Sequence, residues 1–350
     1  MEIKETQAAI LVQTGSQLEL DWIKLPNQLQ FGQILVTMIT SGICGAQINE
    51  IDAAKGPDNF LPHLLGHEGF AQVVEIGPGV TKVKEGDFVI LHWRPGSGIV
   101  ARPPRYSREN NVVNAGWVTT FNQHSIVSEN RVTRVDSASP ARQLPLLGCS
   151  LTTALGVVDR EASLGRRDTL MITGFGGVGN AILQFAKLEG VPTIIVVDKH
   201  ESKRNEALRL GASHFIHSGD TKGAIQVLNE LLPKHIDLSV AIETTGAVEM
   251  IEFCYEATSE RGRIVLVGVP KLGSKARIYT LPLHFGKSIT GSKGGGSIPD
   301  EDIPFILNLF ESGELSWNNF PVTTFKFSDI NVAIEKMREG SIGRPILEFF

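Results

Sequence analysis

The chain has 350 residues, 42% of them hydrophobic and 20% charged, with a formal net charge of −5. That length predicts two domains, the mildly negative charge gives no basis for a nucleic-acid partner, and no run of about 18 apolar residues is present to cross a membrane. The three cysteines, Cys44, Cys149 and Cys254, are odd in number and far apart. They argue against a disulfide framework and, with no charged leader and apolar h-region at the N-terminus, point to the cytoplasm.

Residues 1–150 read as short strands broken by glycine. AAILVQ, QILVTMITSGI, GFAQVVEIG, DFVILHW and HSIVSEN are apolar or alternating runs bounded by Gly, Pro and Asp, which predicts an irregular, mostly antiparallel β domain. Between the last two runs lies HWRPGSGIVARPPRYSRENNVVNAGWVTTF, where packing of Trp93, Tyr106 and Trp117 is expected to impose order. From 151 to 290 the character changes. Strands TLMITGFG, PTIIVVD, DLSVAIETTG and GRIVLVGV alternate with helical segments NAILQFAKLEG, KRNEALRLGA and AVEMIEFCYEA. Continuous β-branched strands alternating with helices predict a doubly wound parallel sheet. The tail, 291–350, reads helix, strand, helix, strand and is expected to fold back on the first part, so that the parallel-sheet domain is an insertion.

Gly174-Phe175-Gly176-Gly177-Val178-Gly179 is a G-x-G-x-x-G sequence following one predicted strand and opening a helix, the context a dinucleotide site requires. Gly174 allows the tight turn, Gly176 lets the backbone approach a pyrophosphate, and Gly179 lets helix and strand pack closely. The pyrophosphate then lies on the N-terminus of the helix expected from Asn180, with Gly177 and Val178 in the turn before it as further cofactor-binding residues. The next strand ends at Asp198, whose carboxylate suits ribose hydroxyls and repels a 2′-phosphate, so NAD is expected over NADP. Lys199, Lys203 and Arg204 lie near enough to soften that choice.

His67 in LGHEG, Cys44 in SGICG and Cys149 in LGCS each have an ordinary explanation alone, as a hydrogen-bonded histidine or small core thiols. Together with GHEGFAQVVEIGPGVTKVKEGDFV, LGCSLTTALG, GFGGVG, VVD and INVAIEKMREGSIGRPILEF, they give the chain a resemblance to the zinc-dependent branch of the medium-chain dehydrogenase/reductase superfamily. The resemblance covers nearly the whole length. It implies a Rossmann-type sheet inserted into a GroES-like irregular β-barrel catalytic domain, and a catalytic zinc held by Cys44, His67 and Cys149 with Glu68 beside it. Two thiolates and an imidazole leave a fourth position open. The implied chemistry is Lewis-acid activation of an alcohol or carbonyl, a sugar or polyol among the candidates, with hydride passing to or from nicotinamide. Lys203 and Arg344 are implied cofactor contacts, Arg344 through the phosphates, and the implied assembly is a homodimer or homotetramer. A zinc-free reductase of the quinone-oxidoreductase type and a non-catalytic dinucleotide sensor are the alternatives.

The chain also departs from that family. The lobe that carries four structural-zinc cysteines in many relatives has no cysteine here, so one catalytic and no structural zinc is expected. Ala46 replaces the relay Ser or Thr, Gln47 replaces the Asp behind the histidine ligand, and Asn49 stands where some relatives have a relay His. Gln47 is expected to accept from the His67 N–H, and His92 is a candidate acid/base group against a reading as a packed strand residue. Trp93 should narrow the substrate pocket. Arg94, Arg102 and Arg105 form a candidate site for an anionic substrate group against a reading as a solvated basic loop.

Overall fold

A computed structural model describes residues 2–136, 142–218, 221–231, 237–340 and 342–350. The chain divides into two compact units. The first comprises Met1–Cys149, Ile298–Leu309 and Pro321–Phe350, and the second Ser150–Ser297 and Phe310–Phe320.

In the first unit, strands run in the order β1 (Glu5–Leu11), β2 (Glu19–Lys24), β3 (Gln33–Gly42), β4 (His63–Leu64), β5 (Gly69–Ile76), β6 (Phe88–Leu91), β7 (Arg105–Arg108), β8 (Asn111–Asn114), β9 (His124–Ser128) and β10 (Val132–Val135). The second unit carries β11 (Thr169–Thr173), β12 (Thr193–Asp198), β13 (His214–His217), β14 (Val240–Glu243), β15 (Arg263–Leu266) and β16 (Ser288–Gly291); β17 (Val322–Lys326) and β18 (Arg344–Glu348) return to the first. Strands β1, β2, β7, β8 and β4 close a small barrel, and a second sheet runs β10-β6-β5-β3-β18-β17 with β9 also on β3.

Alternation of side chains along a strand explains why these runs are apolar without a break. Ala8 and Ile10 of β1 and Leu35 of β3 enter one core, with Ile126 and Tyr106. Ala9, Leu11, Ile34, Val36 and Met38 point the other way into a second core that also takes Phe327, Ile330 and Ile334 from the C-terminal tail. Both faces are buried, so neither keeps a polar register. The cysteine-free lobe forms the β7–β8 hairpin, pinned by Tyr106, whose buried hydroxyl accepts from the Ile126 N–H at 2.8 Å. Trp117 takes no part in that core: it is 45% exposed.

The second unit is an all-parallel sheet in the order β13-β12-β11-β14-β15-β16. Sequence order reverses between β11 and β14, the switch point of a doubly wound Rossmann sheet. Every residue of β11 and β14 is buried, as a strand covered on both faces must be. The segment 310–320 packs with this unit rather than with the rest of the tail: Phe310 stacks on Trp317 at 3.6 Å between centroids, and Asn319 accepts from Asn180 Nδ2 at 3.0 Å. Among the described residues no helix is long and apolar enough to cross a membrane.

Candidate metal and cofactor sites

Three chain segments meet at the end of β3. Cys44 caps the helix Gly45–Ile51 immediately after that strand. His67 and Glu68 precede β5, and the Gly42 N–H donates to the Glu68 carbonyl at 3.1 Å, tying the two segments together. Cys149 follows the 3₁₀ turn Leu144–Gly148. The donor atoms of Cys44, His67 and Cys149 all lie within 4.8 Å of one another, and the two sulfurs are 4.0 Å apart. Two thiolates each about 2.3 Å from a tetrahedral zinc would stand roughly 3.8 Å apart, so the spacing fits that ion. Among the described residues His67 Nε2 is buried without a hydrogen-bond partner, as suits a nitrogen that would face a metal.

The charges around the sulfurs favour a cation as well. The Cys149 thiol, Arg344 and His67 outweigh burial and hold the Cys44 thiol well below its ordinary range, while that thiolate and burial push Cys149 up. Burial works against a charged His67, but the Cys44 thiolate and Glu68 prevail and raise it.

Glu68 lies beside the donor group and is fully buried, its Oε1 ion-paired to Arg344 Nη2. Arg344 is only 9% exposed and pairs with Glu68 through Nη2, while its Nε is buried without a hydrogen-bond partner among the described residues. Gln47 reverses its expected role. Its Oε1 accepts from the Gly66 N–H at 2.5 Å, which leaves Nε2, 2.6 Å from His67 Nδ1, to donate to the ring rather than accept from it. Rotating the amide would set two N–H groups against each other at Gly66. Ala46 and Asn49 lie half-buried on the same short helix, and position 46 brings no hydroxyl to the site.

His92 is not a relay group. It is fully buried, Nδ1 donates to the Arg94 carbonyl at 2.7 Å, Nε2 lies 3.0 Å from Thr133 Oγ1, and burial pulls its pKa down to about 4. Thr133 in turn donates to Asp300, which also accepts from Ser97 and pairs with Lys82 at 2.6 Å; these partners overcome burial and hold Asp300 at about 2. Both groups therefore make the fold acid-labile. His92 stays neutral in the fold down to about 4 against 6.5 when unfolded, so its contribution is full above pH 6.5 and is lost as pH falls through 4. Asp300 contributes fully above 3.8 and loses its part as pH falls through about 2. We expect the melting temperature to drop between pH 6.5 and 4.5, and the slope to flatten in His92→Gln, by up to about 3 kcal/mol. Calorimetric scans across that range check it, and equal slopes in both chains would refute the assignment.

Among the three arginines singled out, Arg102 and Arg105 are exposed, Arg105 on the barrel strand β7. The arginine that stands beside Arg94 is Arg131, which the sequence did not suggest; it interacts electrostatically with Arg94, and its Nη1 donates to the Trp93 carbonyl.

In the second unit the glycine-rich turn follows β11. Gly174 has φ +88°, and a Cβ on Gly179 would lie 2.0 Å from the Gly174 carbonyl oxygen, so neither position admits a side chain without displacement. The helix begins at Gly177, three residues earlier than its apolar pattern suggests, with Gly176 at its N-cap and Val178 in the first turn. The N–H groups of residues 177, 178 and 179 therefore have no acceptor within the helix. Asp198 ends β12 and is buried. Its carboxylate accepts from the Phe175 N–H at 2.7 Å, the His200 N–H at 2.8 Å and Lys203 Nζ at 3.0 Å, which binds the turn to the second strand.

Residues 30–137 match the family described as alcohol dehydrogenase GroES-like domain, and residues 177–312 match zinc-binding dehydrogenase. The chain is 26% identical to S-(hydroxymethyl)glutathione dehydrogenase of Paracoccus denitrificans over 98% of this chain and 99% of that protein. Among solved structures it is similar to benzyl alcohol dehydrogenase of Acinetobacter calcoaceticus, with a TM-score of 0.86 and 27% identity over 99% of this chain and 100% of that one. It is similar also to an alcohol dehydrogenase zinc-binding domain protein of Burkholderia ambifaria, with a TM-score of 0.88 and 25% identity over 99% of each.

Proposed function

The chain belongs to the zinc-type medium-chain dehydrogenase/reductase superfamily, and from that membership we propose that Cys44, His67 and Cys149 hold one catalytic zinc for the NAD-dependent interconversion of a small alcohol and its carbonyl compound. The observation that carries the reading is the convergence of two sulfurs and an imidazole within 4.8 Å, on three segments distant in sequence. Zinc bound there supplies Lewis-acid polarisation of the alcohol or carbonyl oxygen.

The remaining tasks belong to the chain itself. Gln47 fixes the plane of the His67 ring through Nδ1, and Arg344 keeps the Glu68 carboxylate beside the sulfurs without leaving its charge uncompensated. With alanine at position 46, the alcohol proton must leave by water rather than by a hydroxyl there. For the cofactor, the unpaired N–H groups of Gly177, Val178 and Gly179 suit a pyrophosphate, with Gly174 and Gly176 giving the backbone room. Asp198 and Lys203 face the adenosine ribose hydroxyls and favour NAD.

The use of Cys44 and Cys149 as thiolate ligands suits a reducing location, the cytoplasm. A homodimer is supported by β16, an edge strand, and by exposed Leu272, Tyr279 and Phe285 in the segment leading to it. The test is elemental analysis of the purified chain beside NAD reduction by simple alcohols. About one zinc per chain with turnover is the expected result. A value near zero with zinc supplied during expression would overturn the reading in favour of a zinc-free reductase or a sensor.

A further inference from the structure

Two arginines of the first unit lie half-buried near each other, and among the described residues neither makes an ion pair. Arg94 follows His92 and Trp93 at the end of β6, and Arg131 closes the short 3₁₀ turn Glu129–Arg131. Backbone hydrogen bonds from His92 N to Arg131 O at 3.1 Å and from Gly96 N to Asn130 O at 2.8 Å hold the two segments together. Each guanidinium lies over a tryptophan, Arg94 at 5.7 Å from the Trp93 ring centre and Arg131 at 5.4 Å from that of Trp117. The Nε donors of both are closed to water and have no hydrogen-bond partner.

Buried guanidinium donors are normally paired, and like charges are normally kept apart. The nearby carboxylates do not relieve this pair. Glu129 is taken by the backbone N–H groups of Thr81, Lys82 and Ile99, and Asp300 by Lys82, Ser97 and Thr133. Burial and the Arg94 charge together make Arg131 easier to deprotonate than an ordinary arginine, the mark of a site short of negative charge.

We propose that Arg94 and Arg131 form an oxyanion site that takes a carboxylate or phosphate group, carried by the alcohol substrate. The two aromatic faces and two forks match a planar or tetrahedral anion held between them. The assignment to substrate rests on the dehydrogenase reading. Leu91, three residues before Arg94, has its carbonyl oxygen 2.2 Å from where a Cβ on Gly148 would sit, directly before the metal-binding Cys149. Arg94 follows Leu91 by three residues, at most about 11 Å of backbone, so its strand end leads away from the segment that carries Cys149. Arg102 and Arg105 take no part.

The test compares 6-hydroxyhexanoate with 1-hexanol as substrates, in the wild type, Arg94→Gln and Arg94→Lys. Because the Arg94 side chain makes no hydrogen bond among the described residues, its replacement removes none. The wild type is expected to prefer the hydroxy acid at least tenfold in kcat/KM. The glutamine variant should lose that preference, chiefly through KM, and the lysine variant should keep part of it. In parallel, tryptophan fluorescence is titrated with hexanoate and with inorganic phosphate. Saturable quenching that weakens at least tenfold in Arg94→Gln, with both anions competing against the hydroxy acid, places the substrate's own anion in the site. Quenching by phosphate without competition or preference keeps the oxyanion site but assigns it to a free anion. No saturable quenching in the wild type, or quenching unchanged in Arg94→Gln, overturns the proposal. Quenching without NAD reduction by either alcohol would instead count against the dehydrogenase reading, so the two failures are distinguishable.

Discussion

Replacing Cys44 by alanine should leave the purified chain with almost no zinc and lower NAD-linked alcohol turnover by about 10³-fold or more. Lewis-acid stabilisation of charge on a reacting oxygen contributes several kcal/mol, and each 1.4 kcal/mol is about tenfold in rate. The remaining donors, His67 and Cys149, are two short of a closed tetrahedral set and should not retain the ion through purification. The proper control is Cys254→Ala. That thiol is buried in the parallel-sheet core, 3.5 Å from Thr173 Oγ1, and shares no donor with the metal group. Its replacement should cost stability through a small cavity and leave zinc near one per chain. Elemental analysis and steady-state kinetics on the two variants decide the matter. Undiminished turnover in Cys44→Ala would remove the triad from the reaction.

The orientation of Gln47 bears on how tightly that zinc is held. A carboxylate behind a ligating imidazole accepts from its N–H and makes the metal-facing nitrogen more basic. Here the amide donates to Nδ1, because the Gly66 N–H claims its oxygen. The neutral ring then carries its proton on Nε2, facing the sulfurs. Were zinc bound at Nε2, the ring proton would have to sit on Nδ1, and the Gln47 amide would have to turn its oxygen to the ring and release the Gly66 N–H, a rearrangement that an acid behind the ring would not require.

Much of this was legible in the chain, and the limits have physical causes. The parallel sheet could be read because its strands are buried on both faces and show as unbroken β-branched runs, with β11, β12, β14 and β15 at the expected places. Strands β2, β7, β8 and β13 escaped notice: ELDWIK, RYSR, NVVN and HFIH are short and half-polar, and only their ladder partners make them strands. The metal group was proposed only through the family resemblance that SGICG, GHEG and LGCS carry, since alone each residue reads as a small core thiol or a hydrogen-bonded histidine. What the sequence could not carry was which neighbour each polar side chain meets. Arg131 lies 37 residues from Arg94 and reaches it through hydrogen bonds of β10 and β6 that no local pattern announces. Gln47 looked like a substitute acceptor until the Gly66 N–H fixed which end of the amide turns to the ring. Arg344 was expected at the cofactor phosphates, and its burial against Glu68 follows from β18 pairing with β3.

That last contact supports the second large effect. Arg344→Met should destabilise the chain by about 3–5 kcal/mol near pH 8, because it leaves the fully buried Glu68 carboxylate without a counter-charge. The loss should depend on pH in a definite direction. Burial already raises the Glu68 pKa even with Arg344 lowering it, so removal of the arginine raises it further. An acid whose folded pKa lies above its unfolded value stabilises the fold fully at low pH and loses that part as pH rises through the folded pKa. Arg344→Met should therefore come closest to wild type at the acid end of the range and fall away towards pH 8. Adding Glu68→Gln should recover much of the loss and remove its pH dependence, since a neutral amide in the same place needs no counter-ion. Urea titrations at several pH values on the two variants measure it. A loss that stays constant with pH, or is unmoved by the second substitution, would mean that Arg344 acts through packing rather than through the charge it holds in place.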